Sequence, residues 1–84
     1  MEGMAPAKRH VPPDKAVKLL ATGIRERRLV KKLSQAELAE LCDLHPTYVS
    51  VIERGLKSPT IFTLSKIAQA LDLDTSELMA NSGL

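Results

Sequence analysis

The sequence predicts an all-α fold, a compact bundle of five helices in one domain. Its 84 residues are 44% hydrophobic but only 2% aromatic, so Leu, Ile, Val and Ala must form the core, a composition that favours helices packed on helices. Apolar residues recur at helical spacing along most of the chain. The 4 glycines and 5 prolines gather where helices should end, which argues against a sandwich of short strands.

The first predicted helix follows a basic arm. Residues 1–13 contain three prolines and a basic cluster at 8–10 without apolar periodicity, which predicts a flexible N-terminal arm ahead of a folded domain at 14–84. Helix 1 is predicted over about 14–31, where the apolar residues form one stripe. Gly23 within it lowers helix stability by about 1 kcal/mol relative to Ala, which indicates close packing against another element.

Two short helices are predicted in the middle of the chain. Ser34 and Glu37 form a capping box, in which the hydroxyl and the carboxylate satisfy each other's backbone amides, so helix 2 spans about 34–42. A proline fits only the first turn of a helix, so Pro46 begins helix 3, which spans about 45–54.

Two further helices complete the predicted bundle. Thr60 caps helix 4 after a Ser-Pro dipeptide that interrupts the helical pattern. Thr75 or Ser76 opens helix 5, with Leu78 pointing inward. The core stripe of helix 4 consists of Leu64, Ile67, Ala68 and Leu71.

The charge of the chain is unevenly distributed. The formal net charge is +2, but residues 1–34 carry nine Lys or Arg against three Asp or Glu, and residues 35–84 carry three against seven. The basic part suits a nucleic-acid partner and equally suits a solvated surface, so charge alone leaves both interpretations open.

Other features argue against several classes of protein. Cys42 has no second cysteine to pair with, which fits a reducing compartment. No apolar run reaches the roughly 18–20 residues that span a bilayer and the N-terminus lacks a signal-peptide core, so we expect a cytoplasmic protein without membrane association. His10 and His45 have no further ligand at helical spacing, and no nucleophilic grouping occurs. We therefore expect no catalytic residue, no metal site, no cofactor and no enzymatic activity.

The segment 34–55, SQAELAELCDLHPTYVSVIERG, resembles the helix-turn-helix of Cro and phage-repressor type transcriptional regulators. Ile-Arg-x-x-Arg at 24–28 and Ser-Pro-Thr at 58–60 fit the same family, so the resemblance covers roughly 17–80. The size of the chain and the run at 46–50 are most similar to controller proteins of restriction-modification systems and comparable stand-alone repressors. The resemblance implies a lambda-repressor-like DNA-binding domain whose partner is double-stranded DNA.

The chain departs from the family at two turns, where Lys32 and Asp43 replace a usual glycine. Asp tolerates the left-handed conformation that the second turn requires, at some cost in free energy. Lys32 either continues helix 1 or ends it with its charge near the negative helix terminus.

The resemblance also implies which residues contact DNA. An α-helix fits the major groove, which is about 12 Å wide, and helix 3 is the candidate recognition helix. Val49 and Ile52 should face the core, which leaves the other side of this helix for DNA. The residues implied to contact bases are Pro46, Thr47, Val51 and Tyr48. Those implied to contact the DNA backbone are Gln35, Ser50, Arg54 and Lys57. Arg28 and Glu53 are implied to form a structural ion pair.

Some of these roles have alternatives. Thr47 can form a hydrogen bond or contact a thymine methyl, whereas Pro46 and Val51 can only pack, so direct base readout is sparse. In a second interpretation Tyr48 packs between helices 2 and 3, and the two cations at the end of helix 3 are solvated surface charges. His45 caps helix 3, lies near a phosphate or is a plain surface histidine.

We therefore expect a homodimer that regulates transcription from a pseudo-palindromic operator, with Leu73, Leu78 and Met79 in the dimer interface. The alternative from another class is an antitoxin-like or other protein-interaction module on the same fold, with an unidentified protein partner. A small enzyme is the third option, against which the lack of nucleophiles and ligands argues.

Overall fold

The computed structural model describes residues 11–84, which form five α-helices and no strand. The helices are α1 Pro13–Val30, α2 Gln35–Cys42, α3 Pro46–Glu53, α4 Ile61–Ala70 and α5 Thr75–Asn81. The predicted all-α fold is therefore confirmed. Within the described range, no helix is long and apolar enough to cross a membrane. Residues 1–10 of the predicted arm lie outside this range, and Pro13 already belongs to α1.

One apolar core lies between the helices. α1 packs on α3 and α5, α2 packs on α3 and α4, and α4 packs on α5. The large side chains with almost no exposed surface come from all five helices and the turn after α4: Ile24, Leu38, Val49, Ile52, Ile67, Leu71 and Leu78. Each short helix has one buried stripe and one solvent-facing side, as expected for amphipathic helices around a shared core.

Polar side chains fix the beginnings of the short helices. The Ser34 hydroxyl accepts from the amide of Glu37 at 3.0 Å, and the Glu37 carboxylate accepts from the amide of Ser34 at 2.7 Å, which confirms the predicted capping box. The Thr60 hydroxyl accepts from an amide in the first turn of α4 at 3.1 Å. Asp74 precedes α5, and its amide donates to Glu77 at 2.8 Å.

Left-handed residues form the turns between helices. Among the described residues other than glycine, Lys32, Asp43 and Asp72 have φ values of 59°, 57° and 61°. Lys32 therefore ends α1 and does not continue it. After Asp43, the Leu44 amide donates to the Ala39 carbonyl at 2.8 Å, which closes the turn that leads into α3. Each such residue costs roughly 1–2 kcal/mol relative to a right-handed conformation, so both departures from glycine are accommodated at moderate cost.

Cys42 is a core residue. Its side chain is buried, and its sulfur lies 3.7 Å from the backbone carbonyl oxygen of Lys66. Burial raises the pKa of the Cys42 thiol above its ordinary value, an effect that the charge of Lys66 opposes. The thiol is therefore protonated near neutral pH and packs as a small apolar group.

Gly23 brings α1 close to the C-terminal end of α5. A Cβ atom at Gly23 would lie 1.9 Å from the Oγ and 2.8 Å from the Cβ of Ser82. The Ser82 hydroxyl is itself held, because it donates to the Leu78 carbonyl at 2.8 Å. The close packing predicted from a glycine inside α1 is confirmed, and its partner is Ser82.

Gly23→Ala is therefore expected to destabilise the protein, although Ala is the better helix former. Overpacking typically costs about 1–3 kcal/mol, and the gain in helix propensity returns about 1 kcal/mol. We expect the free energy of unfolding, measured in urea, to fall by up to about 2 kcal/mol. In a Ser82→Gly background the same substitution should cost less, because only the Cα of residue 82, at 3.1 Å, would still be in close contact with the new Cβ. An increase in stability from Gly23→Ala alone would contradict the observed contact.

Candidate nucleic-acid interface

The exposed side of α3 presents the residues that the sequence assigned to it. Pro46, Thr47 and Arg54 are exposed, and Ser50 and Val51 are half-buried. On the opposite side, the two residues predicted to face the core are each 1% exposed: Val49 and Ile52. Helical spacing places four of these residues on one side of the helix, because they are neighbours or lie three or four positions apart: Thr47, Ser50, Val51 and Arg54. α3 thus offers a small, mostly uncharged surface with one cation at its end.

The first turn of α3 is held by His45 and Tyr48. The His45 Nδ1 accepts from the amide of Thr47 at 3.1 Å, so the imidazole caps the helix, as one of its three predicted roles requires. The Tyr48 ring is half-buried and packs against the core. This placement agrees with the alternative interpretation of Tyr48 as a packing residue, and a base contact from its hydroxyl stays a prediction.

Backbone amides are available where α2 begins. The capping box satisfies the amides of Ser34 and Glu37, whereas those of Gln35 and Ala36 have no acceptor within residues 11–84. Unpaired amides and the positive end of the helix dipole favour an anion at this position. The Gln35 side chain, also half-buried, extends from the same turn.

A largely buried polar cluster joins α1, α2 and α3 and consists of Arg28, Gln35 and Glu53. Arg28 of α1 donates to both carboxylate oxygens of Glu53, from Nε to Oε2 at 2.7 Å and from Nη2 to Oε1 at 2.9 Å. Gln35 Nε2 donates to the same Oε1 at 3.1 Å, and Arg28 Nη1 donates to the Leu33 carbonyl at 2.8 Å. The side chains of Arg28 and Glu53 are only 8% and 1% exposed. Residues 25 positions apart are therefore joined by a buried bidentate pair.

The cluster keeps its cation charged. The hydrogen bonds to Glu53 raise the pKa of Arg28 above its ordinary value, an effect that burial opposes and the charge of Glu53 reinforces. Arg28 is accordingly protonated at any pH near neutrality. The structure thus places the sequence-predicted ion pair in contact and adds Gln35 to it, a partner that the sequence did not indicate.

Exposed cations surround the C-terminal end of α3. Arg54 and Lys57 are both exposed, and Arg54 Nε donates to the Ser50 carbonyl at 3.4 Å. Lys18 of α1 lies beside Gly55, where a Cβ would be 3.3 Å from the Lys18 Cγ and 3.6 Å from its Nζ. The sequence did not indicate Lys18, because only the packing of α1 against α3 brings it to this end of α3.

The positions of α4 and α5 contradict one part of the predicted dimer interface. Leu78 has no exposed surface and belongs to the core of the subunit, so its assignment to the interface is wrong. Leu73 and Met79 are half-buried. The strongly exposed apolar residues in this region are instead Ile61 and Phe62 at the start of α4, which are 60% and 79% exposed. Ile61, Leu64, Met79 and Leu84 line a shallow apolar groove together with residues of α1.

Two short helices joined by a left-handed turn, with the second helix exposed along one side, define a helix-turn-helix domain. The helix-turn-helix family matches residues 24–78, and the chain belongs to this family. The match includes the C-terminal part of α1, all of α2, α3 and α4, and the beginning of α5.

The chain is similar to several control proteins. It is 38% identical over 66 residues to the control protein C.SmaI of Serratia marcescens, which covers 79% of each chain. It is 40% identical over 62 residues to the control protein C.BamHI of Bacillus amyloliquefaciens, covering 73% of this chain and 76% of that protein. The structure is similar to the restriction-modification controller protein C.AhdI of Aeromonas hydrophila, with a TM-score of 0.72, 37% identity and coverage of 74% and 94%.

Proposed function

We propose that this protein binds duplex DNA in a sequence-specific manner and regulates transcription. The observation that carries this proposal is the exposed side of α3. The opposite side of this helix is buried in the core, and its C-terminal end lies near the free amides of α2 and three cations. Membership of the helix-turn-helix family and similarity to control proteins support the same conclusion.

In this proposal α3 enters the major groove and reads bases sparingly. Thr47 offers a hydroxyl and a methyl group to base edges, whereas Pro46 and Val51 offer only apolar contact, for instance to thymine methyls. Because few direct contacts are available, the shape and deformability of the DNA should supply part of the specificity.

Phosphate contacts position the helix on the duplex. The amides at the beginning of α2 and the side chain of Gln35 suit one phosphate, and Ser50, Arg54 and Lys57 suit others. Lys18 adds a cation on the same end as Arg54 and Lys57, so we assign it to the DNA backbone as well. Such contacts contribute affinity and fix the register of the protein on the duplex, but they carry no sequence information directly.

We further propose that two copies bind a pseudo-palindromic operator. In related motifs the half-sites lie one helical turn apart, about 34 Å, which matches the two-fold symmetry of a dimer. Ile61 and Phe62 are strongly exposed apolar neighbours, and the apolar groove beside Ile61 contains Met79. We place the dimer interface on this surface. Leu73 lies close to Met79 in sequence, and Leu78 lies in the core.

Binding-site selection from random duplex DNA with the purified protein tests the proposal directly. The expected result is enrichment of an inverted repeat, which would establish sequence-specific binding and dimer symmetry in one experiment. A pool that shows no enriched sequence after repeated rounds would refute it.

Thr47→Ala tests whether α3 reads the selected sequence. We expect it to weaken binding to the operator by about 1–3 kcal/mol and binding to random DNA much less, because base contacts carry sequence preference and phosphate contacts do not. The matched control is Thr22→Ala, which removes an exposed threonine from α1. Unchanged operator preference for Thr47→Ala and Val51→Ala, with native circular dichroism, would show that another surface reads the DNA.

Lys57→Ala tests the phosphate contacts. Each cationic contact to duplex DNA contributes close to one unit to the slope of log affinity against log salt concentration, so the slope should fall by about 0.9 per subunit. Affinity should fall equally on operator and random DNA. Lys66→Ala removes an exposed cation from α4 and is the matched control, for which no change is expected. Equal behaviour of the two variants would identify Lys57 as a plain surface cation.

A protein-interaction module on the same fold is the second candidate. The observation that favours it is a pair of exposed apolar neighbours at the end of α1, Leu29 and Val30, which are 50% and 64% exposed. The selection experiment separates the two functions, because such a module would not enrich any DNA sequence.

A further inference from the structure

The carboxylate of Glu53 has more partners than an ion pair needs. Two of its hydrogen bonds come from Arg28, and the third comes from Gln35 Nε2 at 3.1 Å. Glu53 is the last residue of α3, and Gln35 is the first residue of α2. The third hydrogen bond therefore links the end of the recognition helix to the beginning of the helix whose free amides face the proposed phosphate.

We propose that Glu53 is a positioning residue for DNA binding. Its carboxylate holds the Gln35 side chain in the orientation that binds a phosphate, and this contact fixes how deeply α3 lies in the major groove. The inference rests on the proposed function and deepens it. It gives the buried Arg28–Glu53 pair a second role beyond stabilising the fold.

The chemistry of the Gln35 side chain supports this role. An amide nitrogen carries two hydrogens, and the bond to Glu53 uses one of them, which leaves the other to donate to an anion. The bond also fixes the rotamer of a flexible side chain, so less conformational entropy is lost when the phosphate binds. Glu53 is itself immobile, because its side chain is 1% exposed and Arg28 holds both of its oxygens.

The position of the cluster explains why the contact should affect sequence preference. A phosphate bound at the start of α2 sets how deeply and in which register α3 sits against the bases. Without its hydrogen bond to Glu53, the Gln35 side chain is free to rotate, and its phosphate contact no longer fixes the depth and register of α3. Loss of the Gln35–Glu53 bond should therefore weaken binding to the operator more than binding to random DNA.

The test is a double-mutant cycle on the selected operator. Arg28→Met together with Glu53→Met replaces the pair by apolar side chains, a change that preserves many buried cores, and removes the acceptor for Gln35. Gln35→Met is then introduced into this background and into the natural protein. In the natural protein we expect affinity to fall at least about tenfold, the lower end of the range for one hydrogen bond to a charged group. In the Met background we expect less than about a twofold change, because Gln35 is already released.

A phosphate-specific readout separates positioning from simple stabilisation. Methylphosphonates placed one at a time along a half-site remove the charge of single phosphates. The natural protein should lose affinity when one particular phosphate is replaced, and this sensitivity should fall clearly in Gln35→Met and in the Met background, where only the backbone amides of α2 still face that phosphate. It should persist in Glu53→Gln, whose amide oxygen still accepts from Gln35. Gln69→Met, on the exposed side of α4, is the matched control and should change nothing.

One measurement needs no variant. In the ¹⁵N-labelled natural protein without DNA, the side-chain amide protons of Gln35 should exchange more slowly with solvent than those of Gln69. Equal exchange rates would overturn the proposal, as would a tenfold loss from Gln35→Met in both backgrounds. If no DNA sequence is selected but Gln35 is protected, the contact stands and the proposed function fails, which also removes its role in DNA binding.

Discussion

Arg28→Ala is expected to lower the free energy of unfolding by about 3–5 kcal/mol, the usual loss when one partner of a buried ion pair is removed. The Glu53 carboxylate would keep its buried position but lose two of its three hydrogen bonds. A domain of this size has a total stability near the low end of about 5–15 kcal/mol, so much of that stability would be lost. Thermal unfolding should show a fall in Tm of more than about 12 °C.

Two further variants are controls for Arg28→Ala, one in an exposed ion pair and one in which both charges are removed. Lys31 and Asp72 also form an ion pair between distant parts of the chain, but their side chains are 36% and 74% exposed. Lys31→Ala should therefore cost less than about 1 kcal/mol. Arg28→Met with Glu53→Met should recover most of the stability that Arg28→Ala loses, because no charge is left unpaired. Similar small losses for Arg28→Ala and Lys31→Ala would contradict a buried pair.

The helices of this protein could be predicted because their signals are local. A capping box joins Ser34 to Glu37 across one turn, and Pro46 is confined to the beginning of a helix whatever surrounds it. The apolar stripes follow from helical periodicity, which is why the core positions of α3 and α4 were predicted correctly. Gly23 was identified as a contact site because a glycine inside a helix is unfavourable unless something requires it.

The contacts between helices could not be predicted in the same way. The hydrogen bond from Gln35 to Glu53 spans 18 positions, and either side chain alone is compatible with a solvated surface. Lys18 comes close to Gly55 only because α1 crosses α3. The sequence predicted Leu78 both to point inward and to lie in the dimer interface, and the packing of α5 on α1 and α4 decides in favour of the core. Such arrangements depend on tertiary geometry, which periodicity does not encode.

Phe62→Glu is expected to separate the proposed dimer into monomers. The Phe62 side chain is 79% exposed, and burying a phenylalanine stabilises an interface by about 1.5–3 kcal/mol. In a symmetric dimer each substitution occurs twice, so the dissociation constant should rise more than about 100-fold. The monomer itself should stay folded, because residue 62 lies in the first turn of α4, where an acidic side chain interacts favourably with the helix dipole.

The consequence for DNA binding should be larger than that of any single contact. A monomer engages one half-site at a time, and the loss of simultaneous binding reduces operator affinity by about 10²–10⁴-fold. Binding to an isolated half-site should be unchanged, since α3 and its phosphate contacts are intact. Leu41→Glu makes the same chemical change at an α2 residue that is 60% exposed, and it should leave the protein dimeric. Sedimentation at micromolar concentration and titration of full and half operators measure both effects. If Phe62→Glu sediments as a dimer and keeps its operator affinity, the interface lies on another face of the subunit.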